Sequence, residues 1–185
     1  QYRNVSIWPR PVQRPTPPIF VSGSSKESGE FAARKRIGLG LAFTNLPLAA
    51  AAAKYYRDKA AELGWQPTPD QIVYQVPVHV GDSDEESFAS VRPGVEGHAL
   101  GRGLVRANRL AVSAGFFGAR DAQLTKRFQN LAADAPKTLE AAIEHGTILC
   151  GGPDTVAAQI RRLRREIGCG VLNLIFERNA PPSEK

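Results

Sequence analysis

Short apolar runs alternate along the chain with stretches of helical spacing. Pro18-Ile19-Phe20-Val21-Ser22 reads as a short buried strand and runs into Gly23-Ser24-Ser25-Lys26-Glu27-Ser28. After that loop, Phe31, Ala32 and Ala33 suggest a helix to about Arg36. Ile37 to Phe43 (IGLGLAF), bounded by turn signals, is a second strand. Thr44, Asn45 and Pro47 open the next helix in the expected order, a capping residue and then an early proline, and Gly64 is its stop. Ile72 to Val80 (IVYQVPVHV) is rich in β-branched residues and makes a third strand. Pro77 inside it predicts a bulge or strand end, because a central strand needs that N–H. From Asp154 to Ile167, Val156, Ile160, Leu163 and Ile167 recur on one helical face. Gly151-Gly152-Pro153 precedes that helix, Gly168 stops it, and Val171 to Phe176 (VLNLIF) is the fourth strand.

The remaining segments are less regular. Residues 1–17 hold Pro9, Pro11, Pro15 and Pro17 and form an extended connector. Asp82-Ser83-Asp84-Glu85-Glu86 has the composition of a capped helix start, Arg92 to Gly103 that of a loop, and Gly115 to His145 that of helix interrupted at Pro136. The organisation is therefore one segment, 1–185: a connector (1–17), three strand units (18–81), a helical insertion (82–147), and a last helix and strand (148–177). Apolar strands alternating with helices predict the α/β class with a parallel sheet and crossover connections. About four βα units make either a small open sheet or half of an eight-stranded barrel. A complete barrel needs about 250 residues, and half a barrel fits this chain of 185.

Composition narrows the class. With 42% hydrophobic and 23% charged residues the chain is globular rather than disordered. It has no apolar run of the ~18 residues a membrane span needs and no signal-peptide pattern. It contains no methionine and begins with Gln1, so a segment of a longer polypeptide is expected. The net charge of +6 raises the question of nucleic acid. Its one basic cluster, Arg161, Arg162, Arg164 and Arg165, falls mostly on the solvated side of an amphipathic helix, so neither a nucleic-acid nor a membrane partner is expected. Cys150 and Cys169 lack metal spacing and fit buried thiols in a reducing cytoplasm. His79, His98 and His145 follow no metal-binding pattern, and no metal is expected.

In a parallel α/β architecture, ligands meet the C-terminal ends of the strands. This selects the loops Ser22–Ser28, Thr44–Asn45, Gly81–Ser83 and Glu177–Asn179. The first is chemically the richest. A strand leading through Gly-Ser-Ser into a helix offers backbone N–H groups, hydroxyl donors and the positive helix end, which together suit a phosphate. Ser25 and Ser28, three apart, would share a helix face. The same residues also make a plain serine cap with a glycine turn. Lesser candidates are Gly151-Gly152-Pro153-Asp154 for an anion, His79 near a strand end, Trp8, Phe20 and Phe43 as aromatic flanks, and Glu177, Arg178 and Asn179 after the last strand.

Three segments resemble the bacterial luciferase-like flavin-dependent monooxygenases: WPRPVQRPTPPIFVSGSSKESGEFAA at Trp8–Ala33, PVHVGDSDEES at Pro77–Ser87, and ILCGGPDTVAAQIRRLRREIGCGVLNLIF at Ile148–Phe176. They occur in the family's order. The resemblance implies the C-terminal half of a (β/α)8 barrel and reduced FMN as cofactor, its phosphate held after the barrel's fifth strand. Ser25 and Ser28 would donate hydroxyl hydrogen bonds, and Gly23 and Ser24 would supply the backbone approach. Lys26 departs from the family pattern. The implied reaction is oxygenation of a small organic substrate with reduced flavin and O2. A deazaflavin (F420) hydride transfer is the alternative within the same superfamily, and a non-catalytic half-barrel that self-associates is the alternative outside it. Implied partners are a separate flavin reductase and either further copies of the chain, in a dimer or tetramer, or the N-terminal half of the barrel. The residues that act on substrate lie largely in that half, so no catalytic residue is named here and the isolated chain is expected to be inactive.

Overall fold

The computed structural model describes residues 8–14, 16–42, 44–97 and 136–176. In chain order the elements are β1 (Phe20–Ser22), α1 (Lys26–Lys35), β2 (Gly38–Leu41), α2 (Leu46–Glu62), β3 (Ile72–Val80), α3 (Asp84–Gly97), α4 (Leu139–Glu144), β4 (Leu149–Gly151), α5 (Pro153–Ile167) and β5 (Val171–Ile175). Every strand pairing is parallel. β1 pairs with β2 and β2 with β3, while β3 carries β5 along Val73–Pro77 and β4 along Val78–Val80. This α/β arrangement, with helices between parallel strands, is a partial barrel.

One face of the sheet is covered by helices and the other is not. Leu39, Leu41, Ile72, Tyr74, Val76 and Val78 alternate onto the covered face and are buried. They pack against Ala49, Ala53, Tyr56 and Ala60 of α2 and Val156, Leu163 and Ile167 of α5. The alanine stripe lets α2 lie close to the sheet, and the α5 positions are those its spacing predicts. The arginines of α5 lie on its outer side, where Arg162 pairs with Glu166 at 2.9 Å. A second, smaller core of Val91, Val95, Leu139, Ala142, Ile148 and Cys150 joins α3, α4 and β4.

Buried polar groups tie these layers together. Tyr56 donates its hydroxyl to Ile37 O at 2.8 Å, Trp65 Nε1 donates to Ala33 O at 3.0 Å, and the two rings meet edge to face at 6.1 Å. Arg57 donates to Ile167 O at 3.0 Å, placing a cation at the negative end of α5. The fully buried Tyr74 hydroxyl lies 2.9 Å from Thr44 O and 2.8 Å from Gly146 O, so one proton is shared between two loops.

The structure corrects four expectations. α1 starts at Lys26, so the polar run through Ser28 is a helix end rather than a loop before it. α3 continues through Pro93 to Gly97 where a loop from Arg92 was expected. A proline inside a helix costs about 3 kcal/mol. Here Val91 and Val95 bury one face of the helix, and Arg92 bridges to Glu96 and to Glu140 of α4. The rest of that expected loop, and the expected helix before residue 136, lie outside the described residues. Leu149–Gly151 is an unexpected strand, too short to show any periodicity; Gln159 clasps Cys150 by accepting from its N–H at 3.0 Å and donating to its carbonyl at 2.8 Å. Finally, β3 does not end at Pro77. On the edge that Pro77 faces, Tyr74 is the last residue in register with β2 and Val78 the first in register with β4, so the missing N–H falls in the gap between those two partners.

Two outcomes follow from the buried tyrosines. Tyr74→Phe leaves two carbonyls short of a donor and should cost about 1–3 kcal/mol in urea unfolding, against no measurable loss if the shared proton does no structural service. Burial pushes the Tyr56 hydroxyl from 10.0 up to about 12 and raises that of Tyr74 as well. Because both pKa values are higher in the folded chain, their contribution is intact below about pH 10 and is lost as pH rises toward about 12. The urea midpoint should therefore fall across that window, and a flat midpoint would contradict the assignment.

Candidate functional site

The loop after β1 is built by local rules. Gly23 N–H donates to Gly40 O at 2.9 Å and so extends the ladder one residue past Ser22. The chain then turns into α1, with Ser25 at the cap position accepting from Ser28 N–H at 3.2 Å. The Ser25 and Ser28 hydroxyl oxygens lie 3.2 Å apart. Ser28 also sits against Gly23, where a Cβ would collide with its Oγ. Gly23, Ser25 and Ser28 thus form one cluster at the positive end of α1, with Ser24 on the segment between them. Ser25 caps the helix instead of sharing a face with Ser28 inside it. Since one hydroxyl can donate to the other, the pair retains one O–H for an outside acceptor. Lys26 is directed elsewhere, its Nζ 5.9 Å from the centre of the Tyr55 ring on α2. Glu27 is the acid of this first turn.

The other candidates separate. Thr44 is buried at 6% exposure and its Oγ1 has no hydrogen-bond partner among the described residues, whereas the Asn45 side chain caps α2 by accepting from Leu48 N–H at 3.0 Å. Ser83 caps α3, accepting from Glu86 N–H at 3.2 Å. Trp8 is 73% exposed under the Arg10 guanidinium. Phe20 lies over Gly38 on the uncovered face of the sheet. His79 falls on the same side by alternation, half-buried near the end of β3. Phe43, His98 and the loop Glu177–Asn179 lie outside the described residues.

The Gly151–Asp154 turn already holds an anion, and it is internal. Asp84 accepts from Gly152 N–H at 2.6 Å and from the Thr155 hydroxyl at 2.9 Å, so the first residue of α3 caps the start of α5. Gly151 is required here, with φ at +143° and a Cβ that would strike Asp84 Oδ1 and Thr155. Beneath this turn, Ser87 donates to Gly151 O at 3.0 Å and accepts from Gly81 N–H at 2.9 Å. Burial pushes the Cys150 thiol up to about 11, with the Asp84 charge adding to it, and burial also raises Cys169. Both are free and buried, as expected from sequence, and a protonated thiol is a poor nucleophile.

One polar pair was missed from sequence. Asn173 donates to Gln75 Oε1 at 3.2 Å across β5 and β3 on the uncovered face. Its signal was present as a polar residue at an alternate position in each of two apolar strands.

Taken together, these residues define a partial (β/α)8 wall with polar, helix-capping loops at the C-terminal ends of its strands. Comparison with known families then gives the class a name: the luciferase-like monooxygenase model matches residues 1–169, and the chain belongs to that family. Among solved structures it is similar to the monooxygenase RslO1 from Streptomyces bottropensis, at 26% identity and a TM-score of 0.60 over 90% of this chain and 43% of that one. It is also similar to the oxygenating constituent of 3,6-diketocamphane monooxygenase from the CAM plasmid of Pseudomonas putida, a type II Baeyer–Villiger monooxygenase solved in complex with FMN. That likeness is 24% identity and a TM-score of 0.59 over 86% of this chain and 42% of the other. The coenzyme F420-dependent tetrahydromethanopterin reductase from Methanopyrus kandleri shares the fold alone, at 13% identity and a TM-score of 0.50 over 86% of this chain and 44% of that one. The chain thus spans less than half the length of these proteins. A search of curated proteins found no match. Among the described residues no helix is long and apolar enough to cross a membrane.

Asp84→Ala removes the carboxylate that caps α5 and should cost about 1–2 kcal/mol, whereas Thr155→Val should cost less because Gly152 N–H keeps its acceptor. Chemical denaturation of both variants checks the order, and equal losses would show that the Gly152 bond is not the larger contribution.

Proposed function

We propose that the chain is the C-terminal half of a flavin-dependent monooxygenase and that Gly23, Ser24, Ser25 and Ser28 hold the phosphate of reduced FMN. One observation carries this reading: two serine hydroxyls in contact, packed on a glycine at the positive end of a helix, at the C-terminal end of a parallel strand. The donor set suits a phosphate, which accepts hydrogen bonds only and is favoured by the helix dipole. Gly23 keeps the approach open on the strand side, and the hydroxyl left over from the Ser25–Ser28 pair supplies a charge-assisted bond. Family membership supports the choice of a flavin, and the FMN in the diketocamphane relative supports FMN over F420.

The work assigned to this chain is binding and orientation. Ser25 and Ser28 anchor the phosphate, α1 supplies the field, and the uncovered sheet face beside them forms part of the wall that keeps water away from the reacting groups. Bound reduced flavin supplies the electrons with which O2 oxygenates a small organic substrate. The residues acting on that substrate belong to the other half of the barrel, so the chain alone binds flavin without turning substrate over.

Fluorescence titration with FMN and with riboflavin, which lacks the phosphate, tests the site. FMN should bind more tightly, and Ser25→Ala and Ser28→Ala should each weaken it by about ten- to a hundredfold. Ser25→Asp is the sharper variant, because Asp caps a helix as well as Ser does but repels phosphate. It should leave stability unchanged and abolish the preference for FMN. Equal affinity for the two ligands, or no saturable FMN binding at all, rejects this loop as the phosphate site, and tighter binding of F420 transfers the reading to hydride transfer.

A further inference from the structure

Lys26 breaks a local rule. It is the first residue of α1, directly after the Ser25 cap, so its positive charge sits at the positive end of the helix, where a cation is disfavoured. Among the described residues no salt bridge holds it. Its side chain is exposed and rests against the Tyr55 ring of α2, with Nζ 5.9 Å from the ring centre. That ring is shared. Lys59 Nζ lies 5.8 Å from the same centre and also pairs with Glu62 at 2.6 Å, so Lys59 is the better held of two cations that repel each other. The remaining acids of α1 on this side are Glu27, in its first turn, and Glu30, which pairs with Arg34 at 2.6 Å. Carboxyl, phenol and ammonium groups ordinarily titrate outside the range in which a phosphate monoester takes up its second proton.

We infer that Lys26 leaves the Tyr55 ring to pair with a phosphate at the Ser25–Ser28 hydroxyls, and that it fits the site to a doubly charged phosphate monoester rather than to a singly charged phosphodiester. The inference rests on the phosphate reading of that loop and narrows it. A helix end and neutral hydroxyls offer hydrogen bonds and a partial charge of about one half, enough for one negative charge but not for two. A full cation within reach makes up the difference. Direction favours it, because the Cα–Cβ bond of a helical residue tilts toward the helix N-terminus, so the stem of Lys26 sets out toward the bound anion. A lysine in the first helical turn after a glycine-containing loop is also how P-loops bring an ammonium to phosphate. A dianion there would remove both unfavourable features, the cation at the helix end and its repulsion from Lys59. FMN carries a monoester, whereas the phosphate of F420 is a diester, so Lys26 separates the two cofactors by charge.

The test is fluorescence titration of the chain with FMN, riboflavin and the methyl ester of FMN, a phosphodiester, at about pH 5 and about pH 8. FMN should bind about tenfold more tightly at the higher pH, because its phosphate passes a second pKa of about 6 in between. Riboflavin and the methyl ester should show no such step. Lys26→Gln should weaken FMN about tenfold at about pH 8 and far less at about pH 5, shrinking the step to about twofold, and Lys26→Arg should keep it. The urea midpoint of Lys26→Gln should be unchanged or higher, since the variant removes a cation from the positive end of α1. A step of the same size in Lys26→Gln as in the parent chain, or an equal loss at both pH values, overturns this inference and leaves the phosphate site standing. An absence of any preference for FMN over riboflavin rejects the phosphate site and this inference with it.

Discussion

β3 is the strand on which the other elements depend. Its nine residues carry β2 on its first part, β5 along its middle and β4 on its last three residues. Alternate side chains, Ile72, Tyr74, Val76 and Val78, form the centre of the main core. Tyr74 then reaches past the sheet to share its proton between the loop before α2 and the loop before β4. A strand buried on its helix side while its partner changes partway along must tolerate one interruption. Pro77 places that interruption at the handover, where an unpaired acceptor costs least.

From this strand the chemistry is distributed by direction. A parallel sheet sends every strand's C-terminal end the same way, so the cap of α1, the buried Thr44 and the Ser83 cap of α3 are gathered on one rim. The covered face gives rigidity and the uncovered face gives a wall. Within the rim, two helix starts that look alike in sequence have different fates. The start of α5 is satisfied by Asp84 from within the chain, which removes it from the set of anion sites. The start of α1 keeps a hydroxyl beyond what capping uses, and that surplus gives the Gly23–Ser28 cluster its claim to a ligand.

Much of this was legible beforehand. The strands at Ile72–Val80 and Val171–Ile175, and the helices ending near Gly64 and Gly168, follow from periodicity and stop signals that act within a few residues. The Gly/Ser loop was legible too, because capping and phosphate binding draw on the same residue types. What could not be read depended on distant partners. β4 exists because β3 and Gln159 satisfy its backbone, and α3 passes Pro93 because Val95 and Arg92 find α4 some forty residues later.

The sequence by itself therefore determined the alternation of strands and helices apart from β4 and the end of α3, the parallel α/β class and the loop with the richest donors, because local propensity and spacing fix each of these, while its motifs carried the family resemblance. Tertiary structure alone decided that Ser25 is a cap in contact with Ser28, that Asp84 neutralises the neighbouring helix start, and that Gln75 and Asn173 meet on the open face. The physical reason is one of range. A cap or an amphipathic stripe is settled by neighbours a turn away, whereas a hydrogen bond between residues nearly a hundred positions apart exists only after the sheet has set its register.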